Sequence, residues 1–321
     1  MNILVVRTDK LGDFITALPS LYVLKHHNPK NRIIALVAPL NQALAEACDF
    51  IDEVIVDDGK SSIFVLSRKI RSANIDVSVT LFSNTRVALA QFLAGIKTRI
   101  APATKIAQIF YNKRVVQRRS EVKMAEFEYN LALTQALFAD ISLDFSKPLL
   151  TFDDAKKLYA EFCEQNSITK EVVAFHVGFG GSSDANWNLD EYEELIRATL
   201  TQGKYQIVLT FGPDEKELHD EMQKRLREED VVFYLSLDGL LTFAKLISNF
   251  KLFVSTSTGT YHLASLVGCA TMTFFGDSKF ASAARWKSIG DDKLQKHYML
   301  PTDATKRAKI FEEVKQELLA F

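Results

Sequence analysis

Met1-Asn2-Ile3-Leu4-Val5-Val6-Arg7-Thr8-Asp9-Lys10-Leu11-Gly12-Asp13-Phe14-Ile15-Thr16-Ala17-Leu18-Pro19 opens the chain, and the other segments are best read outward from it. Ile3 to Val6 is an unbroken apolar run, β-branched at most positions, which predicts a strand buried on both faces of a parallel sheet. Arg7 to Asp13 then gathers basic and acidic side chains around Gly12, before Phe14, Ile15, Leu18, Leu21 and Leu24 recur at helical spacing. The order is strand, polar loop, helix. In an open α/β sheet such loops at the carboxyl ends of strands border the ligand crevice, which puts Asp9, Lys10 and Asp13 where chemistry is done. Gly12 allows close backbone approach to a ligand, and the amides of the following helix favour an anion. A plainer reading stands beside this one: Asp is a good N-cap, and Asp13 does no more than cap the helix.

The pattern repeats downstream. Arg32 to Pro39, Glu53 to Val56 and Asp76 to Leu81 read as strands, with helices over Asn41 to Cys48 and Ser61 to Arg71. This alternation implies βαβ units and a parallel sheet. After a helical stretch from Met124 to Phe138, residues 141–152, with Pro148, mark a change of domain, and a charged helix covers Asp153 to Asn166. A second α/β series follows. Glu171 to Val177 is a strand that runs into Gly178-Phe179-Gly180-Gly181-Ser182-Ser183, with a helix from Asp190 to Leu200. Gln206 to Phe211 ends in Gly212-Pro213-Asp214-Glu215, and Leu252 to Val254 ends in Ser255-Thr256-Ser257-Thr258-Gly259-Thr260-Tyr261-His262 before a helix from Leu263 to Val267. Ala304 to Leu319 is an amphipathic tail that packs back across the halves. The expected domains are therefore 1–152 and 153–303, with a C-terminal helix over 304–321.

Composition sets limits. A chain of 321 residues that is 47% hydrophobic supports two cores, and a net charge of -1 argues against a nucleic-acid partner. Three widely separated cysteines fit neither a disulfide framework nor a zinc site and suit a reducing cytoplasm. No apolar run approaches the roughly 20 residues of a membrane span, so the expectation is a soluble protein, at most peripheral to a membrane. Charge is concentrated locally: residues 97–123 carry eight Lys or Arg, among them Arg114, Arg118 and Arg119, against Glu121 alone. Such a segment is either a solvated face or a docking surface for an acidic acceptor or an anionic membrane.

In the second half, Gly178 to Ser183 has the composition of a phosphate-approaching loop but lacks GxxxxGK[ST], and it lacks the spaced GxGxxG of dinucleotide dehydrogenases. Ser257-Thr258-Gly259 ahead of a helix offers hydroxyls and free amides to a diphosphate, unless it is only a capped helix start. His262 donates to a phosphate or packs against its neighbours. Glu215 is positioned to accept from ribose hydroxyls, or is an exposed loop acid.

Together these stretches resemble the family-9 glycosyltransferases, the heptosyltransferases of lipopolysaccharide core assembly. The residues that carry the resemblance are Arg7-x-Asp9-x-x-Gly12-Asp13, His176-x-Gly178 with Trp187, Gly212-Pro213-Asp214-Glu215, Ser257-Thr258-Gly259-x-x-His262-Leu263-Ala264 and Phe275-Gly276. The resemblance implies an α/β GT-B fold, with two Rossmann-like doubly wound domains facing a central cleft. It implies an acceptor on the amino-terminal half, contacted by Arg7, Asp9, Lys10, Arg114, Arg118 and Arg119. The nucleotide sugar falls to the carboxyl-terminal half, contacted by His176, Gly178, Ser182, Glu215, Ser257, Thr258, Gly259 and His262. It further implies ADP-heptose as co-substrate with no other cofactor and no metal, inversion at the anomeric carbon, Asp13 as general base, and work on an anionic lipopolysaccharide-core acceptor at the cytoplasmic face of the inner membrane. Two departures bear on the donor. Ala185 stands where the family has a donor-contacting lysine, with Asn188 in place of proline after the tryptophan, and Ser257 stands where many members have Asp. Lys279 or Arg285 is the candidate to compensate. The alternatives are a transferase using another nucleotide sugar, a nucleotide-sugar epimerase, and a catalytically silent nucleotide-sugar binder.

Overall fold

The computed structural model describes residues 1–178 and 186–321, and the chain divides into two compact units, Met1–Ser146 and Lys147–Phe321. In the first, β1 (Asn2–Arg7), β2 (Arg32–Val37), β3 (Glu53–Val56), β4 (Val77–Thr80), β5 (Thr98–Pro102) and β6 (Lys113–Val115) form one sheet in the order β3-β2-β1-β4-β5-β6. Every pairing is parallel. Ile3, Leu4 and Val6 are fully buried because helices cover both faces of the sheet, which is why these strands read as continuous apolar runs. The second unit repeats the plan with β7 (Val172–His176), β8 (Gln206–Phe211), β9 (Val231–Leu235), β10 (Leu252–Thr256), β11 (Thr271–Gly276) and β12 (Gln295–Leu300), in the order β12-β11-β10-β7-β8-β9 and again all parallel. Both are the doubly wound order in which the first strand pairs with the second on one side and the fourth on the other. The strand order therefore reverses between β1 and β4, and between β7 and β10. The crevice that a reversal opens beyond the carboxyl ends of the strands is where open α/β sheets take ligands.

Several expectations shift in detail. The first helix is two, Leu11–Ile15 and Leu18–His27, because Pro19 has no N–H to carry the ladder across Thr16 and Ala17. Within the basic segment lie β5 and β6, where Arg99, Lys113 and Arg114 masked the short apolar pattern. The unit boundary falls at Ser146/Lys147 rather than at 152/153. The reason is that the amides of Leu149 and Leu150 both donate to the Leu266 carbonyl, at 3.1 and 3.3 Å, and so fasten that segment to the second unit. The C-terminal helix Ala304–Ala320 seats Phe311, Val314 and Leu318 in the second unit's core, and its Lys315 pairs with Glu194 at 2.6 Å on the helix Leu189–Leu200.

Candidate active site

At the reversal point of the first unit, β1 delivers Arg7 into the interior with 2% of its surface exposed. A buried guanidinium is costly unless its donors are all met. Here Nε donates to Asp9 Oδ1 at 2.8 Å, Nη2 to Asp13 Oδ1 at 2.5 Å, and Nη1 to Glu126 Oε1 at 3.1 Å and Asn130 Oδ1 at 3.4 Å. Glu126 and Asn130 come from the helix Glu126–Thr134, more than a hundred residues along the chain. Arg119 closes the network, reaching Glu126 Oε1 at 2.5 Å, Gln117 Oε1 at 2.9 Å and Asn130 Oδ1 at 3.3 Å, while Asn130 Nδ2 donates to the Thr16 carbonyl at 3.1 Å.

This geometry bears on several expectations about the first half. Asp13 is not the N-cap: Lys10 holds that position without a side-chain bond, and Asp13 lies in the first turn. Its Oδ1 is fixed by Arg7, its side chain is one-fifth exposed, and its Oδ2 makes no hydrogen bond among the described residues. Burial pushes the Asp9 carboxyl up to about 6; the Arg7 charge pulls the other way, and the Asp13 charge adds to the rise. Burial alone would lower the Arg7 guanidinium, but Asp9, Asp13 and Glu126 outweigh it and hold the group firmly protonated. Arg7 and Arg119, expected as acceptor contacts, spend most of their donors on side chains of their own unit. Lys10, Arg114 and Arg118 are exposed, the last pairing with Glu121 at 3.3 Å.

Sequence reasoning missed Glu126, Asn130 and Phe82. Nothing local marks the first two, since their partner is remote in sequence. Phe82, an aromatic directly after the strand and ahead of Ser83-Asn84, was a visible signal. Its ring lies 5.4 Å from the Arg7 guanidinium carbon and 4.5 Å from Lys105 Nζ, within cation–π range of both.

At the reversal point of the second unit, His176 ends β7, buried, with Nδ1 3.0 Å from Thr210 Oγ1 on β8 and Nε2 3.8 Å from Glu215 Oε2. Burial lowers its pKa, against the opposing pull of Glu215, so the ring ties strands together rather than offering a cation. Glu215 is no free loop acid. It folds back so that Oε2 accepts the Gly212 amide at 2.7 Å, and its carboxylate lies directly over Gly178, where any Cβ would overlap it. His176-x-Gly178 and Gly212-x-x-Glu215 thus pack against each other, and a side chain at 178 would have to displace the Glu215 carboxylate. Ser182 and Ala185 lie outside the described residues.

Across the reversal, the helix after β10 begins at Gly259, four residues earlier than the pattern suggested, and runs to Leu266. Thr258 occupies the N-cap position without capping; its hydroxyl instead meets Thr260 Oγ1 at 2.8 Å and the Thr256 carbonyl at 3.5 Å. The first-turn amides therefore lack a side-chain cap, the arrangement that favours an anion. Half-buried Ser257 donates its amide to Phe274. His262 is buried, with Nδ1 3.0 Å from Ser288 Oγ, and burial, helped by His297, lowers its pKa to about 3. It is a neutral ring packed against its neighbours at the helix start, the second of the two readings offered for it. Trp187 is likewise core, edge-on to Phe274 and Phe311 with Arg307 over its face, and Asn188 caps the next helix by accepting from the Glu191 amide at 2.9 Å. Lys279 is exposed, and the Arg285 guanidinium stacks between Phe280 and Trp286. Among the described residues, no group of three or more His, Cys, Asp or Glu side chains is arranged to hold a metal ion.

Comparison with known proteins adds a family to this geometry. Residues 63–310 match the model of glycosyltransferase family 9 (heptosyltransferase). A Haemophilus influenzae protein named "Putative glycosyltransferase" is 36% identical over 319 residues, covering 96% of this chain and 91% of that one. Lipopolysaccharide heptosyltransferase 1 of Salmonella typhimurium is 25% identical, with 86% and 88% covered. Among solved structures, Escherichia coli ADP-heptose lps heptosyltransferase II superposes with a TM-score of 0.78 at 19% identity, over 99% of both chains.

Proposed function

The chain belongs to glycosyltransferase family 9 and has the GT-B architecture of two Rossmann-like units, and from that premise we propose that it transfers heptose from ADP-heptose to an anionic lipopolysaccharide-core acceptor, with inversion and with Asp13 as general base. In this reading the acceptor hydroxyl gives its proton to Asp13 Oδ2 as its oxygen attacks the anomeric carbon. The bond from that carbon to the diphosphate oxygen breaks on the opposite face, and ADP departs carrying the electron pair. The observation that carries the reading is the held carboxylate: Asp13 has one oxygen fixed by a buried arginine and the other unbonded among the described residues. A base so oriented contributes typically 10²- to 10⁴-fold to rate.

The uncapped amides at Gly259 support the donor half, since oriented N–H groups stabilise the charge that develops on a leaving diphosphate. Glu215, held over Gly178, is the acid available to ribose hydroxyls. ADP-heptose is chosen as donor because the similar Escherichia coli enzyme is named an ADP-heptose heptosyltransferase. Ser257 and Ala185, where relatives carry Asp and Lys, favour a second reading in which the same machinery takes a different nucleotide-linked sugar. In either reading the transfer takes place at the cytoplasmic face of the inner membrane.

The test is Asp13→Asn with donor binding and turnover measured separately. ADP-heptose should raise the melting temperature of wild type and variant alike, since a bound ligand stabilises by mass action, while kcat falls about 10²- to 10⁴-fold. A variant with full turnover sinks the general base. A wild type stabilised by another nucleotide sugar and not by ADP-heptose moves the donor to the second reading.

A further inference from the structure

The observation that the transferase chemistry does not use is a short turn in the first unit. Ile106–Phe110 is a 3-10 turn in which Ile106 and Ile109 are 77% and 66% exposed. Side chains at i and i+3 of a 3-10 helix eclipse, so the two isoleucines stand on one face. The turn is anchored from behind: Ala107 and Tyr111 are buried with Ala88 and Ala101, and Phe110 packs 5.9 Å from the half-exposed Phe92. Lys105 leads into the turn at a φ of +58°, a backbone conformation costly for a residue with a Cβ. The apolar pair is therefore presented by a fixed support.

Charge surrounds it. Lys105, Lys113 and Arg114 are exposed, and among the described residues none has a carboxylate at ion-pair distance. We propose that the turn Ile106–Phe110 is an insertion element for an anionic bilayer surface, with Ile106 and Ile109 entering the headgroup–acyl boundary and Lys105, Lys113 and Arg114 meeting lipid phosphates. Charge complementarity chooses this occupant. A second copy of the chain would bring basic side chains against basic side chains. Two branched aliphatic knobs on a convex turn need no shaped pocket in a fluid interface, whereas a protein partner would have to supply one. Apolar area together with basic residues is the combination that makes peripheral binding stable.

The turn also connects to the candidate site. Lys105 lies over Phe82, whose ring neighbours Arg7, which in turn holds Asp13. A chain docked by this turn would hold Asp13 close to the lipid plane; that consequence rests on the transferase reading, and the docking itself does not.

The experiment is sedimentation of the full chain with phosphatidylcholine vesicles, with and without a minor fraction of phosphatidylglycerol, in the absence of donor and acceptor. Wild type should sediment with the anionic vesicles and be released by salt. The double variant Ile106→Ser/Ile109→Ser should partition about tenfold less or weaker, and Lys113→Glu about fivefold less or weaker, with circular dichroism unchanged because all three positions are exposed. In an Ile109→Trp variant the added emission should shift to the blue on adding anionic vesicles. Equal sedimentation of the double variant, binding indifferent to phosphatidylglycerol, or an unshifted emission would each overturn the proposal, as would capture by an acidic polypeptide without any vesicle binding. If the transferase reading fails, no turnover is seen while sedimentation still decides this question.

Discussion

Replacing Asp9 by asparagine should stabilise the first unit, and only above mildly acidic pH. Asn keeps an oxygen to accept from Arg7 Nε, which Asp9 now meets at 2.8 Å, and drops the charge that burial disfavours. The Asp9 carboxyl, ordinarily near 3.8, is raised to about 6 in the folded chain. Below about pH 4 it is protonated in both folded and unfolded chains, so the substitution changes nothing. Between about 4 and 6 the unfolded chain releases this proton and the folded chain keeps it, so wild type loses stability that the variant retains. Above 6 the difference is flat, at up to about 3 kcal/mol for the full displacement. The one-fifth exposure of the side chain brings the expected figure to about 1.5–3 kcal/mol. Hydrogen exchange of the β1 amides, compared between the two proteins at each pH so that intrinsic rates cancel, reads this directly. Both tryptophans, Trp187 and Trp286, belong to the second unit, so their emission during denaturation is the internal control and should not distinguish the proteins. A difference constant from pH 4 to 8, or asparagine destabilising at pH 7, would refute the reasoning.

Gly178→Ala should displace the Glu215 carboxylate from the Gly212 amide and cost about 0.5–1.5 kcal/mol of second-unit stability, the loss of that hydrogen bond; in a Glu215→Ala background the stability cost should vanish, and a double-mutant cycle by denaturant titration checks it. His262, neutral when folded with a pKa lowered to about 3, is ordinarily protonated below about 6.5 when unfolded, so stability falls as pH drops from 6.5 towards 3. His262→Gln should flatten that acid limb in tryptophan-monitored unfolding, and an unchanged limb would count against the buried neutral ring.

What could be read from sequence was whatever periodicity and punctuation encode. The run Ile3 to Val6, the runs at 172–176 and 206–211, and the polar residues that end them placed strands and switch-point loops where the structure has them, because strands buried on both faces leave an unmistakable apolar signature. β6 carries Lys113 and Arg114 on an exposed edge and left no such signature. The site was legible in the same uneven way. Asp13 can be singled out by position, but the burial of its partner Arg7 cannot, since nothing in Arg7-x-Asp9 says that Glu126 will arrive from a distant helix to enclose the guanidinium. The resemblance assigns His176 and His262 to the donor, although packing was an open reading for His262. Burial, which sequence does not display, makes both neutral.

These corrections share one physical cause. A charged or ionisable side chain at a strand end is either solvated, and free to meet substrate, or buried, and then obliged to find partners within its own unit. Arg7 and Arg119 took the second course, with the result that the first unit's reversal point presents an anion, Asp13, set in a rigid basic frame. At the second unit's reversal point the histidines also took the second course, by losing their charge, and what remains there is the helix start at Gly259, whose first-turn amides have no side-chain cap. An oriented amide cannot rotate away or be neutralised by a change of pH, so a diphosphate placed on it would meet the same field before and after its bond to the sugar breaks. In the proposed transfer the two units would divide the work by kind of charge: a formal carboxylate whose orientation matters, and partial charges whose fixity matters. Lys10 and Arg114 remain as exposed cations that would draw in the anionic acceptor of the proposed transfer.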